Sequence, residues 1–145
     1  MRSTRSALFN ALLAILVVAL GSGCGGASSA VAEKEEPAVL EPIDGSDLYR
    51  VRLTEAAAIR LDIQTDEVVE SDLGLTVPSA ALIVDPEGTF WVYTNNEPLA
   101  YERAVVDPVR EEGGRAYFTN GPSPGTPVVI VGVPELYGEE TGVGK

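Results

Sequence analysis

Short runs of alternating hydrophobic and polar positions, separated by Gly and Pro, extend over most of the chain. Alternation with a period of two is typical of strands, because successive side chains of a strand point to opposite faces of a sheet. The run at 63–69 is mixed on both faces, so we expect it to lie at a sheet edge. The runs with strand character are residues 48–52, 63–69, 73–77, 80–84, 89–94, 101–106, 116–119 and 127–133.

Local signals predict a helix and a hairpin between these runs. Thr54 is a good N-cap for a helix over residues 56–61, and Glu55 falls in the first turn, where the helix dipole favours a negative charge. The Asp-Pro-Glu-Gly sequence at 85–88 has Pro second and Gly fourth, which is typical of a type I turn. Near the C-terminus, Pro134 favours the start of a single helical turn.

These elements predict a mainly all-β fold, a small antiparallel β-barrel or sandwich of about six to seven strands with one short helix. We place this domain at residues 48–140 and expect a disordered tail at 141–145. Residues 24–47 are rich in small and charged residues and contain two prolines, so we expect a flexible tether there.

The first 23 residues have the organisation of a signal peptide. Arg2 and Arg5 precede an apolar run at 7–20, which is too short to span a bilayer comfortably as a helix. Cys24, the single cysteine, follows directly, and residues 20–24 (LGSGC) resemble a bacterial lipobox. We predict that Cys24 is lipidated and that the protein is anchored to a membrane by its lipid. The alternative is an ordinary signal peptide or an uncleaved anchor, with Cys24 incidental.

Composition excludes several kinds of chemistry. The chain has one Cys, no His and no Met beyond the initiator, which excludes a disulfide framework, a His-based metal site and a Cys–His nucleophile. It has 22 acidic and 10 basic residues and a net charge of −12, and all the acidic residues follow the predicted signal peptide. Such a surface repels nucleic acid. Its acidity fits a cation, a basic partner or solubility alone.

Few residues are candidates for a site. Trp91 and Tyr93 share one face of a predicted strand, with Phe90 on the other, and they form either a ligand platform or part of the core. Asp85 and Glu87, with Asn95, could hold a cation, although turn chemistry accounts for them equally. The pairs Glu111–Glu112 and Glu139–Glu140 would need a buried cleft to act as acid and base. We predict no catalytic residue, no metal site and no cofactor.

Several segments occur in an order that resembles a known family. VPSAAL at 77–82 is followed by GTFWVY at 88–93, then by ERAV at 102–105 and NGPSPGTPVVIVG at 120–132, while residues 53–63 resemble a lead-in segment. This order resembles the membrane-proximal β-domain of periplasmic adaptor proteins, the membrane-fusion proteins of RND-type efflux systems. The likeness covers about residues 50–140. It does not include the biotinyl-lipoyl-like domain or the long helical hairpin of those proteins.

The resemblance implies a non-catalytic, membrane-anchored extracytoplasmic lipoprotein of the cell envelope. Such a protein would act as an adaptor-like accessory subunit of an efflux or transport system. Its expected partner is an inner-membrane transporter of the RND or ABC type, or another envelope protein. The alternative is a solitary envelope lipoprotein that binds a small ligand or cation. A secreted enzyme would be restricted to carboxylate chemistry.

Overall fold

A computed structural model describes residues 36–142, except the side chains of residues 108 and 109. The all-β prediction is confirmed: ten strands form an antiparallel, barrel-like and nearly closed sheet. The strands are β1 (Ala38–Pro42), β2 (Tyr49–Leu53), β3 (Gln64–Glu67), β4 (Val69–Ser71), β5 (Gly74–Pro78), β6 (Ile83–Val84), β7 (Phe90–Glu97), β8 (Ala100–Glu112), β9 (Arg115–Asn120) and β10 (Pro127–Val131). Helix α1 spans Glu55–Arg60, helix α2 spans Val133–Thr141, and Ser79–Ala81 forms a 3-10 turn.

The path through the sheet explains why it nearly closes. Its strands follow the order β3-β10-β7-β8-β9-β5-β4, with β1 and β2 attached through β8 and with β6 paired to β7. The outermost strands β3 and β4 are consecutive in sequence and are separated by Val68 alone. The Val68 N–H donates to the Thr126 carbonyl at 3.0 Å, and the Gly125 N–H donates to the Val68 carbonyl at 2.8 Å. The chain itself therefore joins the two edges of the sheet.

Alternation along β7 separates two hydrophobic clusters. Phe90 packs against one cluster and Tyr93 belongs to the other, so these side chains lie on opposite faces as predicted. The inner cluster fills the barrel, and the outer cluster lies between the sheet and the two helices. The inner cluster contains Val68, Val77, Ala81, Val92, Val106, Ala116, Phe118 and Val128. The outer cluster contains Val51, Leu53, Ala57, Tyr93, Tyr101, Val129, Val133 and Leu136.

The local signals for α1 and for the hairpin are confirmed. Thr54 Oγ1 accepts a hydrogen bond from the Ala57 N–H at 3.2 Å, and Asp62 adopts a left-handed conformation just after the helix. At the predicted turn, the Gly88 N–H donates to the Asp85 carbonyl at 2.9 Å and closes the hairpin of β6 and β7. The predicted edge position of 63–69 is also found, because within residues 36–142 β3 pairs only with β10 and β4 only with β5.

The predicted extent of the tether was wrong within the described residues. Residues 38–42, which fall inside it, form strand β1 and pair with β2 from Ala38 opposite Leu53 to Pro42 opposite Tyr49. The two prolines flank or end this strand, where a missing N–H is tolerated. The predicted signal peptide, Cys24 and the first part of the tether lie outside the described residues.

Three other boundaries differ from the prediction. Residues 79–81 form a 3-10 turn, so only residues 83 and 84 of the predicted strand at 80–84 pair with β7. Helix α2 extends over nine residues instead of one turn, and Gly142 caps it in a left-handed conformation. The sheet has more strands than predicted, because the run at 63–69 divides at Val68 and β1 is added.

Candidate interaction surface

Trp91 and Asp85 stabilise the hairpin of β6 and β7. Trp91 Nε1 donates to Asp85 Oδ2 at 2.8 Å, and the Thr89 N–H donates to Asp85 Oδ1 at 2.8 Å. The hydrogen bond from Trp91 is the main reason why the pKa of the Asp85 carboxyl lies below its usual value. Asp85 is thus already occupied as an acceptor from its own hairpin.

A buried ion pair joins helix α2 to the sheet. Arg103 Nε on β8 lies 2.8 Å from Glu140 Oε2 on α2, and the side chains are 11% and 2% exposed. The Nε–H direction does not satisfy hydrogen-bond geometry, so the contact is an ion pair without a hydrogen bond. The Tyr93 hydroxyl donates to the same Oε2 at 2.5 Å, and the Tyr49 N–H donates to Oε1 at 3.4 Å.

Two aromatic rings enclose the Arg103 guanidinium. Its central carbon lies 4.7 Å from the centroid of the Trp91 ring and 5.4 Å from that of Tyr137. Aromatic faces attract a cation at these distances, and the attraction is stronger where water is excluded. Trp91 and Tyr93 therefore face a side chain of their own protein, and the core-packing alternative describes them better than a ligand platform.

Tyr93 has a strongly perturbed environment. Burial is the main cause that raises the pKa of its hydroxyl, and the hydrogen bond to Glu140 raises it further. Ionisation would place a second negative charge beside a buried carboxylate, so the neutral hydroxyl is favoured. The group therefore acts as a hydrogen-bond donor in a structural network.

The candidate cation ligands do not converge. Glu87 lies exposed in the hairpin turn, while Asn95 lies at the far end of β7, where its Nδ2 donates to the carbonyls of Glu97 and Ala100. No group of three or more His, Cys, Asp or Glu residues between residues 36 and 142 has a geometry that could hold a metal ion.

The acidic pairs Glu111–Glu112 and Glu139–Glu140 lie in different environments. Glu112 forms an exposed ion pair with Arg110 at 2.6 Å, whereas Glu140 is buried against Arg103. A general acid and base need to face one reacting group within hydrogen-bond reach. The described residues show no cleft that brings these two carboxylates together.

Apolar clefts lie on both sides of α2. The α1–α2 cleft, of about 350 Å³, is bordered by β1, α1 and α2, and Leu53 and Ala57 line it. The β6–α2 cleft, of about 400 Å³, is lined mainly by apolar side chains that include Leu82, Val84 and Tyr137. Pro134 and Gly138 border both clefts, so one helix separates two surfaces suited to apolar groups.

Strand β1 presents an open sheet edge next to the first cleft. Within residues 36–142 it pairs with β2 alone. Val39 is 50% exposed and Leu40 is 39% exposed, although both lie in a regular strand. Glu41 forms ion pairs with Arg50 and Arg52 of β2, and the hydrogen bond from Arg52 is the main reason why the pKa of Glu41 is lowered. An exposed apolar edge of this kind is a ready site for strand pairing.

Arg103, Glu140 and β1 were not identified from the sequence as parts of a site. A signal for Arg103 exists, because it lies between Tyr101 and Val105 on the apolar face of a strand. A signal for Glu140 also exists, because it follows Leu136 by four residues and so shares its buried helix face. Neither signal reveals that the two charges meet.

Comparisons with known proteins identify no relative that has this surface. No protein-family model, no curated protein and no solved structure matches the chain. Among the helices of residues 36–142, none is long and apolar enough to span a bilayer.

Proposed function

We propose that the protein is a non-catalytic accessory subunit, a lipid-anchored extracytoplasmic lipoprotein that acts through protein–protein contacts. In this proposal it serves an efflux or transport system in the manner of an adaptor. The observation that carries the proposal is the exposed apolar edge of β1, which adjoins an apolar cleft. Free strand edges and apolar grooves are recurring contact sites between proteins.

The state of the polar groups also supports a binding role. The buried charges Arg103 and Glu140 are paired with each other, and the hairpin carboxylate of Asp85 is held by Trp91. Such groups contribute to packing and orientation, whereas catalysis needs polar groups directed at a substrate. Because these side chains are held within the fold, we infer that recognition uses the surface of β1 and α2.

The partner in this proposal is an inner-membrane transporter of the RND or ABC type, or another envelope protein. Crosslinking of the full-length protein in native membranes, followed by mass spectrometry, tests it. We expect a permease or an envelope channel among the products. Recovery of the protein alone, with a crosslinker known to reach exposed side chains, would refute the accessory role.

The β6–α2 cleft favours a second candidate function, capture of a small apolar ligand by a solitary envelope lipoprotein. Its lining is mostly apolar, and its volume of about 400 Å³ lies in the range of small-molecule sites. Ligand binding to the folded state would raise the unfolding temperature. A thermal-shift screen with apolar small molecules separates the two functions, because the accessory role predicts no such stabilisation.

A further inference from the structure

We propose that the open edge of β1 binds an extended segment of a partner protein, which adds to the sheet as a strand beside the α1–α2 cleft. The bound segment alternates apolar side chains with Lys or Arg. This inference rests on the proposed accessory function and names its contact surface.

The hydrogen-bond register shows which backbone groups face the open edge. The Thr54 N–H donates to the Pro37 carbonyl at 3.0 Å, and the register places Val39 opposite Arg52. In an antiparallel pair, backbone groups of alternate residues point to the same side. Val39 and Glu41 therefore bond to β2, while the N–H and carbonyl groups of Ala38 and Leu40 point away from it. No strand within residues 36–142 pairs with these groups, so we infer that they can accept a further strand.

Side chains on β1 continue the apolar surface of the cleft. Ala38 packs against the outer cluster and also lines the α1–α2 cleft. Leu40 shares its face, because it lies two residues further along the strand and opposite the buried Val51. Alternate side chains of an added strand would lie on this face next to Leu40 and the cleft. Apolar side chains at those positions would bury surface that is exposed in the free protein.

The charges around β1 favour basic residues in the bound segment. Glu36 and Asp44 are exposed at the two ends of β1, and Glu135 of α2 is exposed at the cleft. With 22 acidic against 10 basic residues in the chain, the surrounding field also favours a cationic segment. The basic residues near this edge are Arg60 at the α1 side of the cleft, and Arg50 and Arg52, which pair with Glu41.

The same charges disfavour a second copy as the occupant. A symmetric antiparallel pair of β1 strands centred on Leu40 would bring Glu36, just before the strand in one copy, towards Asp44, in the turn just after it in the other. Like charges brought close together at the ends of the paired strands repel each other. The chemistry of this edge therefore fits a basic partner better than self-association.

A peptide of alternating Lys and Val, eight residues long and fluorescently labelled, tests the site on the full-length protein in detergent micelles. We expect it to bind, and we expect a peptide with four Lys followed by four Val to bind at least about tenfold more weakly, because only the alternating peptide places Val on one face. Equal binding of the two peptides would show simple charge attraction and would overturn the inference.

The variant Leu40→Pro removes the outward N–H while it leaves the bonds of β1 to β2 intact. Affinity for the alternating peptide should fall about tenfold, as expected from one lost hydrogen bond and an unpaired carbonyl. The matched control Leu40→Ala shortens the same side chain, keeps the N–H and should bind more tightly than Leu40→Pro. Peptide affinity of Leu40→Pro equal to that of the unmodified protein would contradict strand addition.

Amide hydrogen exchange gives a readout that needs no variant. On addition of the alternating peptide, the Ala38 and Leu40 amides should gain protection, whereas the Val39 and Glu41 amides, already bonded to β2, should change little. Protection gained instead at the β6–α2 cleft would overturn the location.

A photo-crosslinking residue in place of Leu40, compared with one in place of Val84, separates failure of this inference from failure of the accessory role. A crosslink in native membranes to an envelope protein from position 40 supports both. A crosslink to such a protein only from position 84 overturns the β1 site and leaves the accessory role standing. A crosslink from position 40 to another copy of the chain identifies a different occupant and overturns the partner that we propose.

Discussion

Arg103 and Glu140 show how one residue pair determines the position of an element. Both charges are largely removed from water, and burial of a charge is costly unless a partner is present. Glu140 also receives the Tyr93 hydroxyl, so the carboxylate holds α2 against β7 and β8 together. Loss of either charge would leave the other buried without its partner.

We predict that Glu140→Gln lowers the free energy of unfolding by about 3 kcal/mol, because Arg103 would then remain buried without its counter-charge. Urea denaturation followed by circular dichroism measures this. The control Glu112→Gln breaks an exposed pair with Arg110 and should cost less than about 1 kcal/mol. An equal decrease in the free energy of unfolding of the two variants would contradict a larger contribution from the buried pair of Glu140 and Arg103.

The buried Tyr93 hydroxyl should make the folded protein less stable at alkaline pH. Burial and the bond to Glu140 raise the pKa of its hydroxyl in the folded state, while the pKa in the unfolded chain is about 10. The stabilisation that this shift represents is present below about pH 10 and is lost as pH rises, because the unfolded chain then releases a proton that the folded chain retains. Tyr101, whose pKa is also raised by burial, contributes in the same direction.

The variant Tyr93→Phe should therefore lose less stability between pH 9 and 11 than the unmodified protein, although it is less stable at neutral pH by about 1 kcal/mol. Chemical denaturation at several pH values measures both effects. Tyr49→Phe, in which the altered ring is 42% exposed, is the control and should follow the unmodified profile. An unchanged alkaline slope in Tyr93→Phe would contradict the role of this hydroxyl.

At the scale of elements, helix α2 depends on the glycine that precedes it. Gly132 has φ +90° at the N-cap, and a Cβ there would overlap the Ile63 side chain. A side chain at this position therefore meets both backbone strain and a steric overlap with Ile63, which lies between α1 and β3. The start of α2 is determined by this close approach as much as by Pro134.

We predict that Gly132→Ala destabilises the protein more than Gly125→Ala does, because left-handed backbone strain is joined by displacement of the terminal methyl group of Ile63. Gly125→Ala is a matched control, because its φ is +81° and no atom lies within 4 Å of the added Cβ. That variant should show the strain alone, about 1 kcal/mol. Thermal unfolding of both variants gives the difference, and equal losses would remove the steric contribution.

Elements were predicted well where their determinants are close in sequence. Helix α1 begins at Thr54, which caps a group three residues away, and the hairpin turn is closed by the Asp85–Gly88 bond. Strand β1 was missed because its short run between two prolines has little pattern of its own. Its strand conformation comes from pairing with β2, across the loop between Pro42 and Tyr49.

For the whole molecule, excess negative charge opposes compactness. The net charge is −12, and β3 and β4 carry the exposed residues Asp66, Glu67 and Glu70. Mutual repulsion of such charges destabilises a folded chain, and salt screens it. Surface ion pairs such as Arg52–Glu41 weaken with salt, but the excess of acidic residues makes repulsion the larger effect.

The unfolding temperature should therefore rise with NaCl from about 0.01 M to about 0.15 M, as the screening length falls from about 30 Å to about 8 Å. The triple variant Asp66→Asn, Glu67→Gln, Glu70→Gln should show a smaller rise, because it removes three of the repelling charges. Scanning calorimetry of both proteins tests this. A fall in unfolding temperature with salt would mean that ion pairs outweigh repulsion.

The sequence by itself determined the strand alternation, the opposite faces of Phe90 and Tyr93, helix α1 and the hairpin turn. Each depends on interactions within a few residues or on the geometry of an extended chain. Features of this kind can be predicted from a single sequence. The mainly β class followed from the same local patterns.

Tertiary structure alone decided the pairing of β1, the length of α2 and the burial of Glu140 with Arg103. Glu140 lies 47 residues from Tyr93 and 91 from Tyr49, so only the folded sheet brings them together. Burial of a charge on an apolar face is unfavourable unless another element supplies an opposite charge. For that reason the apolar edge and clefts around α2 became visible only in the folded protein.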